Sequence, residues 1–444
     1  MDKLVAARRR ADPTHGPGGA SALTPARGEG GGPRYPEFDA LRGTAILLVV
    51  TLHAALAYTR LDIPGLLWGV RERSGHGGFD LFSWWAMGVS VPLFFAISGF
   101  FAALVESGRG PRAFLEGRAR RIVVPTLIAA PTILPLCFLA WCLGWLATGR
   151  CDFNEVRRMV FLDPRIMGEL YGPAHLWFLE YLIPMLLAFG LLRAARPARS
   201  GDTGGAEPRA PLALAWWGPL ALTIPTALLL ALGRALGMAD LPLDRHNSFI
   251  PDAVRLAHYA TFFGFGVALY RARGSLDALR RRGAWYLLAS LPVFALRARL
   301  LPLDWSGRGG GGVVPGLIAT GALGSWLALF GLIGLARRHL GRPSRAARYL
   351  AGASFWVHLV HLPIVGLIQA DLVPIPWPTT AKFAFTLALT LALGLGTYEV
   401  LVRKTALGRL LEGGTRKARP GPAASRPGRD RNRRKGEVVA RASA

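Results

Sequence analysis

The stretch FDALRGTAILLVVTLHAALAYTR, residues 38–60, joins a long apolar run to one histidine in its middle, His53, and one arginine near its start, Arg42. A helix of about 20 apolar residues crosses the hydrocarbon core of a bilayer. His53 follows Arg42 by eleven residues, which is ~16 Å along a helix axis. If Arg42 lies at the membrane surface, His53 lies near the midplane, where an ionisable side chain costs about 3 kcal/mol and indicates a functional site.

Apolar stretches of similar length recur along the chain and predict an all-α polytopic membrane protein with about ten transmembrane helices. Runs such as ALTIPTALLLALGRALG, residues 221–237, lack the polar alternation of a half-buried strand. The predicted spans are 44–60, 81–104, 122–148, 176–192, 212–237, 256–270, 284–301, 313–336, 353–369 and 383–402.

The basic residues of the loops predict the orientation of these spans, since Lys and Arg accumulate on the cytoplasmic side of a membrane. Alternate loops, counted together with both tails, contain 38 Lys and Arg, whereas the intervening loops contain 10. Acidic residues divide evenly, 11 and 11, as expected for a rule that concerns cations alone. We therefore expect an even number of spans and both termini in the cytoplasm.

Two basic tails flank the apolar region. Residues 1–34 and 406–444 are rich in Gly, Pro, Ala and Arg, which predicts disorder. The first tail has no apolar core and is therefore not interpreted as a cleaved signal peptide. The net charge of +26 would suit a nucleic-acid partner, but no folded basic module supports that role. Binding to anionic lipid headgroups and topology determination alone both remain as interpretations of the tails.

Three cysteines, Cys137, Cys142 and Cys151, lie in and after the third predicted span. Their spacing fits neither a CxxC motif nor a disulfide framework. The sequence therefore predicts no metal site and no bound cofactor. It gives no indication of an oligomeric state.

Few other polar side chains lie inside the predicted spans. His175 and Glu180 belong to the start of the fourth span, and His358 and His361 lie three residues apart on one face of the ninth. A neutral imidazole can accept a proton from a hydroxyl near neutral pH, so these histidines suit acid–base catalysis. Hydrogen bonding between helices is an equally serious interpretation, for His53 as for the pair in the ninth span.

A cluster of three arginines, Arg118, Arg120 and Arg121, lies at the predicted cytoplasmic end of the third span. Guanidinium groups bind phosphates bidentately, which suits a nucleotide-bearing ligand. The same arginines would also serve as topology determinants. The residues alone thus indicate a polytopic membrane protein with a histidine-lined interior.

Six motifs give the chain a resemblance to the acyltransferase-3 family of integral membrane acyltransferases and, within it, to the glucans biosynthesis protein C-like branch. They occur in the family's order and extend over roughly residues 35–405. They are FDALRGTAILLVVTLH (38–53), VPLFFAISGFF (91–101), RARRIVVP (118–125), HLWFLEYL (175–182), ASFWVHLVHLPIV (353–365) and YEVLVR (398–403).

The resemblance implies a transmembrane domain over 35–405 that acylates a glycan across the bacterial inner membrane. The donor would be cytoplasmic acyl-CoA, either acetyl-CoA or succinyl-CoA. The acceptor could be a periplasmic glucan, a lipopolysaccharide sugar or an exopolysaccharide, and succinyl transfer to periplasmic glucans is the activity of the branch. By position, the family's functional residues correspond to Arg42, His53, Ser98, Gly99, His175, Trp177 and His361. Glu180 and His358 match no fixed family residue and are expected to line the pocket.

These correspondences predict a mechanism in which Arg42 and the arginines at 118, 120 and 121 bind the phosphates of the donor. His53 would deprotonate the sugar hydroxyl as general base, or carry the acyl group itself as an acyl-histidine. The indole of Trp177 would stack on a pyranose face. A succinyl donor would add a carboxylate, which Arg234 or Arg255 could bind.

Two other functional classes compete with acyl transfer. Proline-containing helices and intramembrane histidines also suit a multi-span transporter or a proton-coupled exporter, although the two halves of the sequence show no convincing inverted repeat. A membrane scaffold that recruits partners through its basic tails would explain neither the spacing of Arg42 and His53 nor the motif HLWFL (175–179).

Overall fold

The chain is described here by a computed structural model. The described residues are 35–61, 66–166, 172–195, 214–238, 247–405 and 408. Within these ranges the chain is helical and contains no β-strand, so the predicted all-α class is confirmed. The two tails that were predicted to be disordered lie outside the described residues, apart from Gly408.

The architecture is a bundle of long helices, which we number in chain order. The helices are α1 (Pro36–Ala55), α2 (Gly77–Arg109), α3 (Pro111–Arg118), α4 (Val124–Ala147), α5 (Phe153–Arg158), α6 (Trp177–Ala194), α7 (Gly218–Ala235), α8 (Ala253–Arg271), α9 (Asp277–Arg280), α10 (Gly283–Trp305), α11 (Val313–His339), α12 (Arg345–Leu372) and α13 (Thr379–Thr397). One 3₁₀ turn, Leu56–Tyr58, extends α1, and another, Ala174–Leu176, leads into α6. A π-helical turn, Ala119–Val123, joins α3 to α4.

Nine helical segments of the described chain are long and apolar enough to cross a membrane. They correspond to nine of the ten predicted spans, and the chain is an integral multi-pass membrane protein. The remaining predicted span, 256–270, is also a helix, α8, whose 19 residues include Arg255 and His258. Both side chains are buried, so α8 is a partly polar helix enclosed by its neighbours.

The first helix begins earlier than the predicted span 44–60. It starts at Pro36, because proline suits the first helical turn, where a backbone N–H would lack an intrahelical partner. In the same turn the buried carboxylate of Glu37 accepts a 2.7 Å hydrogen bond from Arg337 at the end of α11. Arg42 therefore lies in the second turn of α1 rather than at its entrance.

Two glycines bring the backbones of α2 and α8 into contact. A Cβ atom on Gly99 would lie 2.0 Å from the carbonyl oxygen of Phe263, and one on Gly266 would lie 1.9 Å from that of Ala96. Close approach of this kind is typical of small residues at helix interfaces in membranes. Gly99, which matches a family motif, thus has a packing role, and it fixes the position of the neighbouring Ser98.

Gly266→Val is expected to lower the melting temperature of the protein markedly, because its side chain has no space against the carbonyl oxygen of Ala96. Overpacking costs about 3 kcal/mol. The matched control is Gly264→Val on the same helix, where a Cβ atom meets nothing within 4 Å. Thermal unfolding of the two purified variants in detergent measures the difference. Equal melting temperatures would contradict the backbone contact.

Ion pairs mark the two ends of the bundle. At one end, Arg337 bridges Glu37 of α1 and Asp277 of α9. At the other end, Lys382 of α13 binds Glu72 at 2.5 Å, in the segment between α1 and α2. The histidines on α1 and α12 lie between these two ends, inside the bundle.

Candidate active site

Four histidines cluster where α1, α12 and the 3₁₀ turn before α6 meet. His53 belongs to α1, His358 and His361 to α12, and His175 to the turn. The ring centroid of His361 is 5.0 Å from that of His53 and 5.1 Å from that of His175. The centroids of His175 and His358 are 5.4 Å apart. The structure therefore brings together all four histidines that the sequence analysis singled out.

The contacts of His361 determine which ring nitrogens carry protons. Its Nδ1 atom lies 3.0 Å from the carbonyl oxygen of Val357 and 2.8 Å from that of His358. A carbonyl oxygen only accepts, so Nδ1 donates and, in the neutral ring, Nε2 accepts. Nδ1 of His53 lies 2.9 Å from that Nε2 atom and therefore donates to it. His53 consequently has its basic lone pair on Nε2.

His175 has a partner at each ring nitrogen. Its Nε2 atom donates to the carbonyl oxygen of Leu359 at 3.0 Å, which leaves Nδ1 as the acceptor. The thiol sulfur of Cys137 lies 3.8 Å from Nδ1. His175 is also buried, with 5% of its surface exposed. These contacts tie α4 and α12 to the start of α6, so the imidazole of His175 is a cross-link within the bundle.

A cavity of about 120 Å³, which we call the histidine cavity, adjoins the cluster. The polar and aromatic residues of its wall include His53, Trp68, Ser90, His175, Trp177, Arg255, Tyr259 and His358. The Oγ atom of Ser90 is buried without a hydrogen-bond partner among the described residues. The guanidinium of Arg255 adds a buried positive charge. A ligand in this cavity would therefore meet imidazole, hydroxyl and guanidinium groups together.

Trp68 forms a flat contact with His53 that the sequence analysis missed. The two rings are 5.6 Å apart between centroids and inclined by only 3°. The indole N–H of Trp68 donates to Oε1 of Gln369 at 2.7 Å, and Nε2 of Gln369 donates to the carbonyl oxygen of Ala54 at 3.0 Å. This chain of contacts holds the plane of the His53 ring.

The segment that carries Trp68 is irregular rather than helical, and α4 anchors it. The indole N–H of Trp141 donates to the carbonyl oxygen of Leu67 at 3.0 Å, and that of Trp145 donates to the carbonyl oxygen of Trp68 at 3.3 Å. Polar backbone groups inside a membrane protein need such partners. The segment follows α1 and contains no hydropathy period, so no sequence pattern indicated that it enters the bundle.

A second cavity, of about 440 Å³, contains the predicted arginine cluster and is called the arginine cavity below. Its wall includes Arg42, Ser98, Arg118, Arg121 and Tyr398. The family motifs of α1, α2 and the turn between α3 and α4 thus meet at one space. A site with three guanidinium groups suits a polyanionic ligand.

Arg120 does not line the arginine cavity. Arg118 and Arg121 belong to the wall of this cavity, whereas Arg120 is exposed. A π-helical turn, Ala119–Val123, contains Arg120 and Arg121 and widens the helix at this point, as π-turns often do beside functional sites. The structure therefore brings two of the three clustered arginines to the cavity.

Arg118 is only partly satisfied by the protein. One terminal nitrogen donates to the carbonyl oxygen of Phe101 at 3.2 Å, and the guanidinium lies 5.3 Å from the ring centroid of Phe114. Its Nε atom is buried without a hydrogen-bond partner among the described residues. The positive charges of Arg42 and Arg121 act on it as well. An anion in the arginine cavity would relieve both the repulsion and the missing hydrogen bond.

The walls of the two cavities meet at three rings. Phe94, Phe178 and His358 belong to the walls of both. The ring centroids of Phe94 and Phe178 are 5.5 Å apart, and those of Phe178 and His358 are 5.9 Å apart. The Nε2 atom of His358 is buried without a hydrogen-bond partner among the described residues. The partition is thus made of two phenyl rings and one imidazole, with the ring of Phe178 in contact with the other two.

A third, smaller cavity of about 30 Å³ adjoins the histidine cavity on its other side. Leu56, Leu66 and Trp68 belong to the walls of both cavities. Arg71 and Arg150 are the charged residues in the wall of the small cavity. The three cavities therefore form a row, with the histidine cavity in the middle and arginines at both ends.

Asp163 restrains one of the arginines at this end. The carboxylate accepts a 3.1 Å hydrogen bond from Arg150. Hydrogen bonds from the neighbouring Arg165 are the main cause that lowers the pKa of Asp163 to about 2. Asp163 therefore stays ionised at physiological pH and keeps Arg150 paired.

One comparison with known proteins identifies the family. A model of the Acyl_transf_3 family, described as an acyltransferase domain, matches residues 35–399. The chain belongs to the acyltransferase-3 family. It is therefore a membrane acyltransferase, as the six sequence motifs predicted. No curated protein and no solved structure matches the chain.

In this acyltransferase-3 protein, the predicted site residues divide between the cavities. His53, His175 and Trp177 line the histidine cavity, Arg42, Ser98, Arg118 and Arg121 line the arginine cavity, and His358 lines both. His361 stands behind His53 and orients it.

Glu180 and Arg234 lie apart from this arrangement. Glu180 is outside the walls of the three cavities described above. Both of its carboxylate oxygens are buried without a hydrogen-bond partner among the described residues. Arg234 forms a 2.7 Å ion pair with Asp304. Of the two arginines considered for a donor carboxylate, Arg255 is thus the one beside the histidines.

Proposed function

We propose that this membrane acyltransferase moves an acetyl or succinyl group from cytoplasmic acyl-CoA to a hydroxyl of an extracytoplasmic glycan, such as a periplasmic glucan. The observation that carries the proposal is the pair of cavities that meet at one wall, one lined by arginines and the other by the basic imidazole of His53. Family membership supports acyl transfer over the competing transport function. We place the protein in the bacterial inner membrane.

The donor would occupy the arginine cavity. Acyl-CoA carries phosphates on a nucleotide and a thioester at the end of a long flexible arm, so it needs cations at one end and a narrow apolar path at the other. Arg42, Arg118 and Arg121 supply the cations. The loop charges support a cytoplasmic location for this end of the bundle, because Arg337 and the start of α1 belong to the basic side.

The acceptor hydroxyl would enter the histidine cavity from the side of Trp68 and Arg71. The indole of Trp177 offers a flat face to a sugar ring. Nε2 of His53 takes the hydroxyl proton as the oxygen attacks the acyl carbon, and the hydrogen bond to His361 stabilises the resulting imidazolium. Trp68 holds the ring plane throughout.

The nature of the acyl group would depend on Arg255. This buried guanidinium belongs to the wall of the histidine cavity, and it would bind the distal carboxylate of a succinyl group. An acetyl group has no such carboxylate, so water would occupy the position beside Arg255. Arg234 is already paired with Asp304, so we assign it no part in donor choice.

Release of free CoA tests the proposed function. Purified protein in nanodiscs is incubated with acetyl-CoA or succinyl-CoA, with and without a β-glucan oligosaccharide, and thiol appearance and glycan mass are measured. We expect sustained thiol release that requires the glycan, together with an acyl mass increment on the sugar. Glycan flux across proteoliposomes without any thiol release would support a transporter instead.

Arg118→Gln is expected to raise the KM for acyl-CoA by about tenfold to hundredfold, the range for loss of a charge-assisted hydrogen bond. Arg120→Gln provides the matched control, because Arg120 belongs to the same cluster but is exposed. Steady-state kinetics with varied acyl-CoA at saturating glycan gives both values. Equal KM values for the two variants would remove Arg118 from the donor site.

A further inference from the structure

We propose that His358 carries the acyl group through the partition between the two cavities, as a covalent acyl-imidazole. The inference rests on the proposed function and adds a second catalytic residue to it. His358 was expected only to line the pocket, and it matches no fixed family residue. The structure gives it a position that the other three histidines lack, because it belongs to the walls of both cavities.

In the relay, the wall that the two cavities share lies between the donor and the acceptor. Phe94 and Phe178 fill the rest of the shared wall, and phenyl rings offer no nucleophile. A thioester in the arginine cavity therefore meets one reactive group at the boundary, the imidazole of His358. The same imidazole also belongs to the wall of the histidine cavity, where the acceptor would bind.

The hydrogen bonds of the cluster also favour His358 over His175 and His361. Both nitrogens of His175 are engaged, by Leu359 and Cys137. Nδ1 of His361 contacts two backbone carbonyls, and its Nε2 atom accepts from His53. Nε2 of His358 is buried without a hydrogen-bond partner among the described residues. A buried polar atom without a partner is costly, and such atoms in native structures call for a functional explanation.

The imidazole ring of His358 must rotate so that its Nε2 atom can react in both cavities. Nε2 of His358 is enclosed by protein atoms, whereas the ring as a whole belongs to both walls. Rotation about the Cβ–Cγ bond of a histidine has a broad range, so the nitrogen can reach first one cavity and then the other. The acyl group would thereby cross the partition while the bulky CoA nucleotide stays behind.

The proposed reaction proceeds in two steps. First, neutral Nε2 of His358 attacks the thioester carbon, the C–S bond breaks, CoA leaves as thiolate, and an acyl-imidazolium remains. Second, the acceptor oxygen attacks that carbon, His53 takes the hydroxyl proton, the C–N bond breaks, and His358 leaves as neutral imidazole. Water then carries the proton from His53 to the CoA thiolate, which becomes the thiol. The sum is thioester plus alcohol to ester plus thiol.

Acylation without an acceptor tests the relay. The full-length protein in nanodiscs is mixed with [¹⁴C]acetyl-CoA or [¹⁴C]succinyl-CoA in the absence of glycan, quenched, and analysed for free thiol and by peptide mass spectrometry. We expect a burst of about one thiol per chain and an acyl mass on the peptide that contains His358. Adding glycan should discharge the label onto the sugar.

Two variants separate the roles of the histidines. His53→Ala should keep the burst and the label on His358 but fail to discharge it to glycan. His358→Gln should lose both the burst and turnover, and its binding of acyl-CoA and its melting temperature should remain close to those of the wild type. Label on His53, or turnover by His358→Gln, would overturn the relay.

The relay and the proposed function fail in different ways. Glycan acylation at the normal rate without any trapped label would overturn the relay and leave the acyltransferase intact. If neither donor releases thiol, with or without glycan, the proposed function itself is wrong, and the relay falls with it.

Discussion

Acyl transfer to the glycan is expected to disappear when His53 is replaced by alanine. His53 is the histidine whose Nε2 atom carries a basic lone pair at the wall of the histidine cavity, because its Nδ1 atom donates to His361 at 2.9 Å. General-base catalysis contributes about 10²- to 10⁴-fold to a rate, so the remaining activity should lie near the detection limit. The KM for acyl-CoA should change little, since the arginine cavity is unaltered.

The measurement compares glycan acylation by His53→Ala, His53→Gln and the wild type at matched amounts of folded protein. Melting temperatures in detergent verify the fold, because the imidazole also stacks on Trp68. His339→Ala is the matched control, since His339 is an exposed histidine at the end of α11 and should retain full activity. Full transfer by His53→Ala would eliminate the catalytic role of this residue.

The membrane-spanning architecture could be predicted from sequence because a bilayer imposes a length and excludes charge. Nine of the ten predicted spans are helices that meet both demands. The first span was placed too late in the chain because Glu37 and Asp39 look like loop residues. The structure shows why they belong to α1: Glu37 is buried and is paired with Arg337 at one end of the bundle.

The spacing of Arg42 and His53 could also be predicted, since both residues belong to one helix and their separation follows from the helical rise. The residues that contact them from other parts of the chain could not be predicted. His361 is 308 positions from His53 in the chain, and no local pattern encodes a contact at that distance. Trp68 belongs to an irregular segment without periodicity, so its stacking on His53 depends on how α4 anchors that segment.

Helical phase offered one further signal that the sequence analysis did not use. Arg118 and Arg121 share a helix face, whereas Arg120 points elsewhere. The prediction that all three bind donor phosphates therefore included one residue that the structure leaves exposed. The partition formed by Phe94, Phe178 and His358 had no comparable signal, because these residues come from three helices and only the packed bundle brings them together.

His361→Leu is expected to lower kcat for glycan acylation by about tenfold to hundredfold, the range for losing a partner that orients a functional histidine. Without an acceptor at Nε2 of His361, Nδ1 of His53 loses its hydrogen bond. The ring of His53 is then free to adopt the other tautomer, with its proton on Nε2, and that tautomer cannot take a proton from the acceptor. The KM for acyl-CoA should stay unchanged.

His361→Gln distinguishes positioning from packing. The amide oxygen of glutamine can accept the hydrogen bond from His53, so this variant should recover most of the kcat that His361→Leu loses. His361 is fully buried, and both variants therefore need melting temperatures measured beside their kinetics. If the glutamine and leucine variants are equally stable and equally slow, the hydrogen bond between the two imidazoles does not govern catalysis, and His361 acts only by filling space between α1 and α12.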